Sequence, residues 1–439
     1  MSTATTPHHL SAELVVIGAG PAGSAAALHA ARAGMDVLVV DAADVPATRR
    51  DKTCGDGLTP RAIGALAAFG DFVLADGPLI RGLKLHGFGG SVTAPWPTDG
   101  AFPTRGSAVA RADFDAALLG IAIDAGARLE GNIKVVDAHH TASQVSHVTA
   151  VNSRGASITI GCRQLILAEG VRSAVARSLG VEWLRGVVHG IAARSYVRTP
   201  AGMDEWIHSH LELRNAEGVA QPGYGWMFPL GAPDGVPLAN LGCGALSTAK
   251  RPAKVNTKKL LGQYAESVRQ LWSIEGQPEN VKSALLPMGG AVSRVAGKNW
   301  AAIGDTAALV NPLNGEGIDY ALESGRMVVE LLEDAKRNPE GLTHMWPARL
   351  RREYGDAFSL ARRLAIVLTM PGLLSAIGPI GMRGPLAHTV MGAAARLMGN
   401  LVTPEDKDLT ARLWLGAGRV SRKADALLAA ESRPLFGRV

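Results

Sequence analysis

Cysteine is scarce. Only Cys54, Cys162 and Cys243 occur in 439 residues, and they form no CxxC pair and no metal-ligand spacing. That excludes a disulfide scaffold and a cysteine zinc site, and so sparse and odd a count fits a reducing compartment. The histidines offer no metal site either, since His8, His9, His139 and His140 sit in tail or meander positions without ligand spacing. Internal repeats and low-complexity tracts are absent. The opening stretch, MSTATTPHHL, lacks the charged and apolar regions of a signal peptide, so a short tail and a cytosolic-side protein are expected. An unbroken membrane-length apolar run is missing too. Leu364–Met382 is uncharged for 19 residues, but Pro371, Gly372, Gly378, Pro379 and Gly381 interrupt it. With Arg362, Arg363 and Arg383 on its flanks, it reads as a broken helical segment that covers a hydrophobic pocket or dips into a membrane surface.

What is present is the composition of a soluble globular protein of two or three domain-sized units: 47% hydrophobic, 19% charged, mean hydropathy +0.12. Glycine is abundant at 52 residues, which suits a backbone wrapped around a cofactor. The net charge of +6 is unevenly placed. Positions 341–439 hold 14 Lys+Arg against 7 Asp+Glu, and the rest of the chain holds 31 against 32. Charge alone reads as a solvated basic face, and no nucleic-acid partner is expected.

Two stretches organise the chain. Glu13–Ile17 is an apolar strand running into Gly18-Ala-Gly20-Pro-Ala-Gly23, an alanine-rich helix, and a second strand ending at Asp41. A strand, a GxGxxG turn, a helix and an acid 23 residues after Gly18 supply the context that makes this motif a dinucleotide fingerprint. The other stretch, Ile303–Arg326, is a strand end, an acid at Asp305, a loop crowded with Pro312, Gly315 and Gly317, and a helix starting near Ile318. A helix start offers unpaired N–H groups to negative charge, and Asp305 offers a partner to hydroxyls. Together the two stretches describe the two ends of FAD. GFGG at Gly87 and GCGA at Gly242 lack strand–helix context, so a pyridine nucleotide is expected only as a transient visitor. Parallel-type strands near 13, 36, 163 and 300 are interrupted by antiparallel-looking segments. The expected units are therefore interleaved: 11–80, 106–185 and 286–340 for FAD, 81–105 and 186–285 for substrate, and a helical, basic 341–439.

GAGPAGS, DKTCGDGLTPR, ARADFD, PGYGWMFPLG and GDTAALVNPLNGEGI resemble the geranylgeranyl reductase family, a branch of the p-hydroxybenzoate hydroxylase-like flavoproteins. The wording is nearest to bacterial members that saturate an isoprenyl unit of a menaquinone tail, and it runs from about Leu14 to Leu415. The resemblance implies an α/β fold, in which a Rossmann-type FAD domain is interleaved with an antiparallel β-sheet substrate domain and followed by a C-terminal helical segment. By the same resemblance Gly18, Gly20, Ala22 and Gly23 line the pyrophosphate, Asp41 binds the adenosine ribose, and Cys54, Gly55 and Gly57 approach the flavin. Arg111 neutralises phosphate, Val135 touches the adenine end through its backbone, Asp305 binds ribityl hydroxyls, and Gly317 and Ile318 lie near the pyrimidine ring. Tyr224, Trp226 and Phe228 shape the wall of a lipid pocket. A peripheral place on the cytoplasmic side of the membrane and transient NAD(P)H are implied with them.

The reaction sets its own demand. An isolated trisubstituted alkene is not electrophilic, so hydride transfer needs a proton at the other carbon and aromatic faces for the positive charge that builds. Cys54 and Glu316 are the candidate donors. Each has a plainer reading, a packing residue for Cys54 and a helix cap for Glu316, as the aromatic trio has in strand core. The pair Glu169–Gly170 is compatible with nucleotide binding or with a strand end. Geranylgeranyl diphosphate or a geranylgeranyl lipid is the alternative substrate, and an aromatic monooxygenase or halogenase on the same fold is the alternative reaction.

Overall fold

In the computed structural model, which describes residues 8–45, 50–70, 77–370, 372–427 and 435–437, the apolar run ending at Ile17 is the second half of β1 (His8–Ile17). The tail before His8, and Arg49 and Pro371, lie outside the described residues. After β1 come α1 (Pro21–Arg32), β2 (Val37–Val40), the two-residue β3 (Gly57–Leu58), α2 (Pro60–Ala65), β4 (Gly82–Gly87) and β5 (Gly90–Pro95). Next are β6 (Ser107–Ala108), α3 (Arg111–Asp124), β7 (Arg128–Glu130), β8 (Ile133–Thr141), β9 (Gln144–Asn152), β10 (Ser157–Leu167) and α4 (Ala174–Ser178). A second run holds β11 (His189–Arg198), β12 (Trp206–His210), β13 (Gly223–Pro229), β14 (Leu238–Ser247), α5 (Thr257–Val268) and β15 (Glu275–Pro287). The chain then returns through β16 (Trp300–Ala302) to α6 (Ile318–Arg337), α7 (Leu342–Leu368), α8 (Leu373–Met382), α9 (Ala387–Met398) and α10 (Leu409–Leu427).

In the first sheet β7, β2, β1, β10 and β16 are parallel neighbours in that order, and β9 and β8 extend it antiparallel from β10. The four residues of β2, Val-Leu-Val-Val, are all buried, as a parallel strand covered on both faces requires. Where the sequence reads a meander ending at Ile160 and a separate strand from Arg163, β10 is one strand. Its first half pairs β9, its last residues pair β16, and β1 runs beside it throughout, so Gly161 does not break it.

The second sheet has seven strands, in the order β15, β11, β14, β13, β12, β4, β5. All its pairs are antiparallel except β12 with β4. Alternation sorts its residues. Ala193, Met227, Leu241 and Cys243 face α5 and pack with Leu260, Leu261 and Tyr264. Arg194, Tyr196, Trp226, Phe228 and Asn240 face the other way, towards the first unit. The α5 helix is shorter than the Val255–Trp272 run of its pattern: Asn256 Oδ1 accepts from Lys259 N–H at 3.1 Å, and the chain turns after Val268 through Ser273 at φ 49°.

Helices α1 and α6 cross where side chains are smallest. A Cβ on Gly325 would lie 2.7 Å from both Ala22 O and the Ala25 Cβ, so only glycine lets α6 approach this closely. That contact sets the N-terminal ends of α1 and α6 on the same side of the first sheet. The C-terminal quarter is less separate than its charge suggests. Trp346, Leu350, Tyr354 and Phe358 of α7 lie buried in the core of the first unit, and Trp346 Nε1 donates to Ala302 O at 2.9 Å. Met382, Ala387, Ala395 and Leu401 complete the core beneath β4 and β5. The uncharged run is split between α7 and α8, which meet at 112°, and among the described residues no single helix is long and apolar enough to cross a membrane.

Candidate active site

At the end of β1, Gly18 has φ 106° and a Cβ there would lie 2.3 Å from Ala168 O. Gly23 is as tight, 1.8 Å from Gly18 O, whereas a Cβ on Gly20 would meet nothing within 4 Å. Gly18 and Gly23 thus make the turn and Gly20 leaves room in front of it. Helix α1 starts there with no side-chain cap, leaving its first N–H groups for an anion. Asp41 ends β2, buried, its oxygens accepting from Ala19 N–H at 2.8 Å, Ala43 N–H at 2.9 Å and Arg50 Nη1 at 3.0 Å. It braces the glycine turn, and a ribose hydroxyl would take the place of Arg50. Val135 is buried on β8, whose start is tied to this corner by Ile133 N–H on Asp41 O at 2.9 Å.

The other end is built by the turn after β16. Asp305 is half-buried and faces Arg111 and Lys52; burial raises its pKa and the two cations lower it, with a net rise. Among the described residues no group donates a hydrogen bond to this carboxylate, so its capacity for hydroxyls is free. Arg111, at the start of α3, grips Asp115 through Nε at 2.7 Å and Nη2 at 2.8 Å. A Cβ on Gly317 would lie 3.5 Å from Asp305 Oδ1, and Ile318 opens α6, which has no side-chain cap at Gly317. Glu316 leans on the Ile318 and Asp319 amides without completing that cap. Burial and then Asp319 push its carboxyl well up, and Oε1 has no hydrogen-bond partner.

The Cys54 loop lies directly on the aromatic strand. A Cβ on Gly55 would be 2.6 Å from Phe228 and 3.4 Å from Trp226 Nε1, and one on Gly57 would be 2.9 Å from Phe228. Tyr224, Trp226 and Phe228 stand in a row with centroids 5.9 and 6.0 Å apart, and the Tyr224 hydroxyl donates to Asn314 O at 2.5 Å beside Glu316. Burial pushes the Cys54 thiol up to about 11, so it keeps its proton at neutral pH. The residues expected at the flavin end and the three expected in the pocket wall are therefore one cluster.

Three members of that cluster, Asn240, Tyr196 and Arg194, carry no motif. Asn240, fully buried on β14, accepts from Trp226 Nε1 at 3.0 Å and donates to Cys54 O and to Asp56 Oδ2, each at 2.7 Å. Tyr196 donates to Asp56 Oδ2 at 2.9 Å, and the fully buried Arg194 pairs with Asp51 and stacks on Tyr196 at 4.5 Å. Their one trace in the sequence is polar residues at alternate positions of an otherwise apolar strand. Glu169, conversely, is structural: its oxygens accept from Val175 N–H at 3.1 Å and Ala176 N–H at 2.9 Å, capping α4.

An uncapped helix start behind an open glycine turn, a carboxylate free for hydroxyls, and a second uncapped helix start fit FAD from pyrophosphate to ring. Residues 11–223 match the family described as FAD binding domain. Fold and site define an FAD-dependent oxidoreductase. The chain is 50% identical over 417 residues to the menaquinone reductase of Mycobacterium tuberculosis, covering 94% of this chain and 97% of that one. It belongs to the menaquinone reductase family, among the geranylgeranyl reductase flavoproteins. Identity to digeranylgeranylglycerophospholipid reductase 1 of Methanopyrus kandleri is 28% over 364 residues, 81% of this chain and 90% of the other. A geranylgeranyl bacteriochlorophyll reductase-like protein from Thermoplasma acidophilum has the same fold, with TM-score 0.70, 17% identity, and coverage of 96% of this chain and 100% of that chain.

Proposed function

We propose that the protein saturates an isoprenyl double bond in the tail of menaquinone. The observation that carries this reading is the close approach of Gly55 to Phe228 and Trp226 and of Gly57 to Phe228, which brings the loop that carries the Cys54 thiol up to an aromatic wall. Bound FAD, once reduced, supplies the hydride. Gly18, Gly20, Ala22 and Gly23 hold its pyrophosphate with Arg111 neutralising the phosphate charge, Asp41 and the Val135 backbone hold its adenosine end, and Asp305, Gly317 and Ile318 its ribityl and ring end. Cys54 delivers the proton to one alkene carbon. The faces of Trp226 and Phe228 stabilise the charge that builds on the other, and by excluding water they keep it from being captured. Glu316 holds the start of α6 and, protonated, adds no repelling charge beside the thiol. Electrons come from NAD(P)H bound transiently.

A peripheral place on the cytoplasmic face of the membrane follows from the substrate. Ile380 and Leu386 are 77% and 68% exposed on either side of Arg383, beside Ile377 and Val390, which makes α8 and α9 the face suited to lipid. The test is anaerobic: protein with chemically reduced flavin, mixed with menaquinone already reduced to the quinol in detergent, regains its oxidised spectrum at a rate set by the lipid, and the product tail gains two hydrogen atoms. Reoxidation by a geranylgeranyl lipid but not by menaquinone would move the substrate within the class. Turnover only with oxygen and a soluble aromatic would replace the reductase by a monooxygenase.

A further inference from the structure

Saturating each double bond consumes one proton, and a pocket that excludes water has to receive it through the protein. We propose that Asp56 and Tyr196 form the inlet that returns a proton to Cys54 after each turnover, an inference that rests on the prenyl reductase reading above. Asp56 sits between Gly55 and Gly57, fully buried, with φ 65°. Its Oδ2 accepts from the Tyr196 hydroxyl and the Asn240 amide, while its Oδ1 is buried without a partner among the described residues. Acid and thiol share one turn: Asp56 N–H donates to Cys54 Sγ at 3.4 Å, and Asn240 bonds both Cys54 O and Asp56. Outward, the Tyr196 hydroxyl is 3.5 Å from Asp51 Oδ1, long for a hydrogen bond and so the slow link. Asp51 pairs with Lys282 at 2.7 Å, and Lys282 is 43% exposed. The groups thus run from solvent to the turn that holds the thiol, where the Asp56 N–H touches Sγ and its carboxyl lies one residue beyond Gly55.

The charged and titratable groups facing Asp56 are Tyr196 and Arg194 on β11, Arg111 on α3, and Cys54 in its own loop. Burial, opposed by Asn240, Tyr196 and the two arginines, leaves its carboxyl at about 6, where it both gains and gives a proton near neutrality. At Asp51 burial is outweighed by Lys282 and Arg194, which hold it ionised at the surface. The steps balance without electron transfer. As Cys54 S–H breaks and a C–H bond forms on the alkene, the thiolate takes the Asp56 proton. Asp56 recovers one from the Tyr196 O–H, and the Tyr196 oxygen recovers one from the Lys282 ammonium relayed through Asp51, with Lys282 taking its replacement from water.

The experiment separates first from later turnovers of the holoenzyme, with excess dithionite to reduce flavin and menaquinone in detergent. The first turnover uses the proton already on Cys54. Asp56→Asn and Tyr196→Phe are expected to keep flavin content and a first-turnover rate within about twofold of wild type, while later turnovers slow about tenfold or more. The wild-type later-turnover rate should decline as pH rises above about 6, with first turnover flat, and the variants should lose that pH dependence. Equal loss in first and later turnovers, or no loss in either, would overturn the inlet. Tyr196→Phe keeps the ring stacked on Arg194, so it decides the matter if Asp56→Asn does not fold. Turnover is read as hydrogen added to the tail, and a wild type that leaves the tail unsaturated would overturn the reaction and the inlet with it.

Discussion

A proton donor has to keep its proton until the alkene is in place, and this is what burial does to Cys54. Exposed, its thiol would be a weaker reservoir near neutral pH and a better nucleophile; buried beside Arg111 and Asp56, it stays a thiol. Cys54→Ala is expected to keep flavin and to lose turnover about 10²–10⁴-fold, the usual worth of a positioned acid. Glu316→Gln keeps a carbonyl for the Ile318 and Asp319 amides and removes the acid, so flavin content should be unchanged and turnover should fall only a few-fold. Stopped-flow reoxidation of both variants checks this pair, and the opposite order would make Glu316 the donor. At this scale Gly18, Gly23, Asp41 and Asp305 were legible because turn geometry and a following helix demand those residue types at fixed spacing. Asn240, Arg194 and Tyr196 were not. A polar residue on a strand looks the same in sequence whether it faces water or completes a buried network, and only the packing of β11 and β14 against the Cys54 loop distinguishes them.

The elements matter through the surfaces they press together. Trp226 lies over Gly242 of the neighbouring strand, where a Cβ would sit 2.1 Å from the indole, and Phe228 lies over Gly55. Trp226→Ala should therefore cut prenyl turnover far more than flavin reduction by dithionite; equal loss would remove the aromatic wall from the account. On the opposite face of the same sheet, His86, His208 and His210 stack among themselves and on Trp272, with His86 Nε2 3.0 Å from His208 Nδ1. Burial pushes His86 down to about 4, His210 to about 3, and lowers His208. Unfolded, these imidazoles take protons near 6.5, so their contribution to stability is present above that pH and is lost as pH falls towards 4. Asp56, Asp319 and Glu316 have the opposite sign: their raised folded values favour the native state at low pH and weaken it as pH rises through and above about 6. Going from pH 7 to pH 5, the urea midpoint of a His86→Gln, His210→Phe double variant should change in the stabilising direction relative to that of the wild type, because the variant keeps the carboxyl gain and lacks the imidazole loss. The strands and α1 followed from period and punctuation. The joining of β10 and the early end of α5 did not, because pairing with two different partners and a cap at Asn256 decided them.

At the scale of the molecule, the C-terminal quarter is where sequence reading and structure differ most. Its charge and its apolar run suggested an appendage, yet α7 builds the core beside β16, and the turn after α9 locks onto the site. Asn400 Nδ2 donates to Asp319 Oδ2 at 2.7 Å, its Oδ1 accepts from Asn311, and Met398 O accepts from Asn314. Helices α8 and α9 are thus fastened to the loop that starts α6. Long-range contacts of this kind leave no local signal, which is why the substrate class was legible through resemblance and the attachment was not. The central claim is that this site adds two hydrogens to an isoprenyl unit of menaquinone. Mass spectrometry of host quinones with and without the gene tests it most directly. Menaquinone should be heavier by two hydrogen atoms only when the gene is present, with the added mass in the tail fragments; identical menaquinone in both strains would rule out this activity.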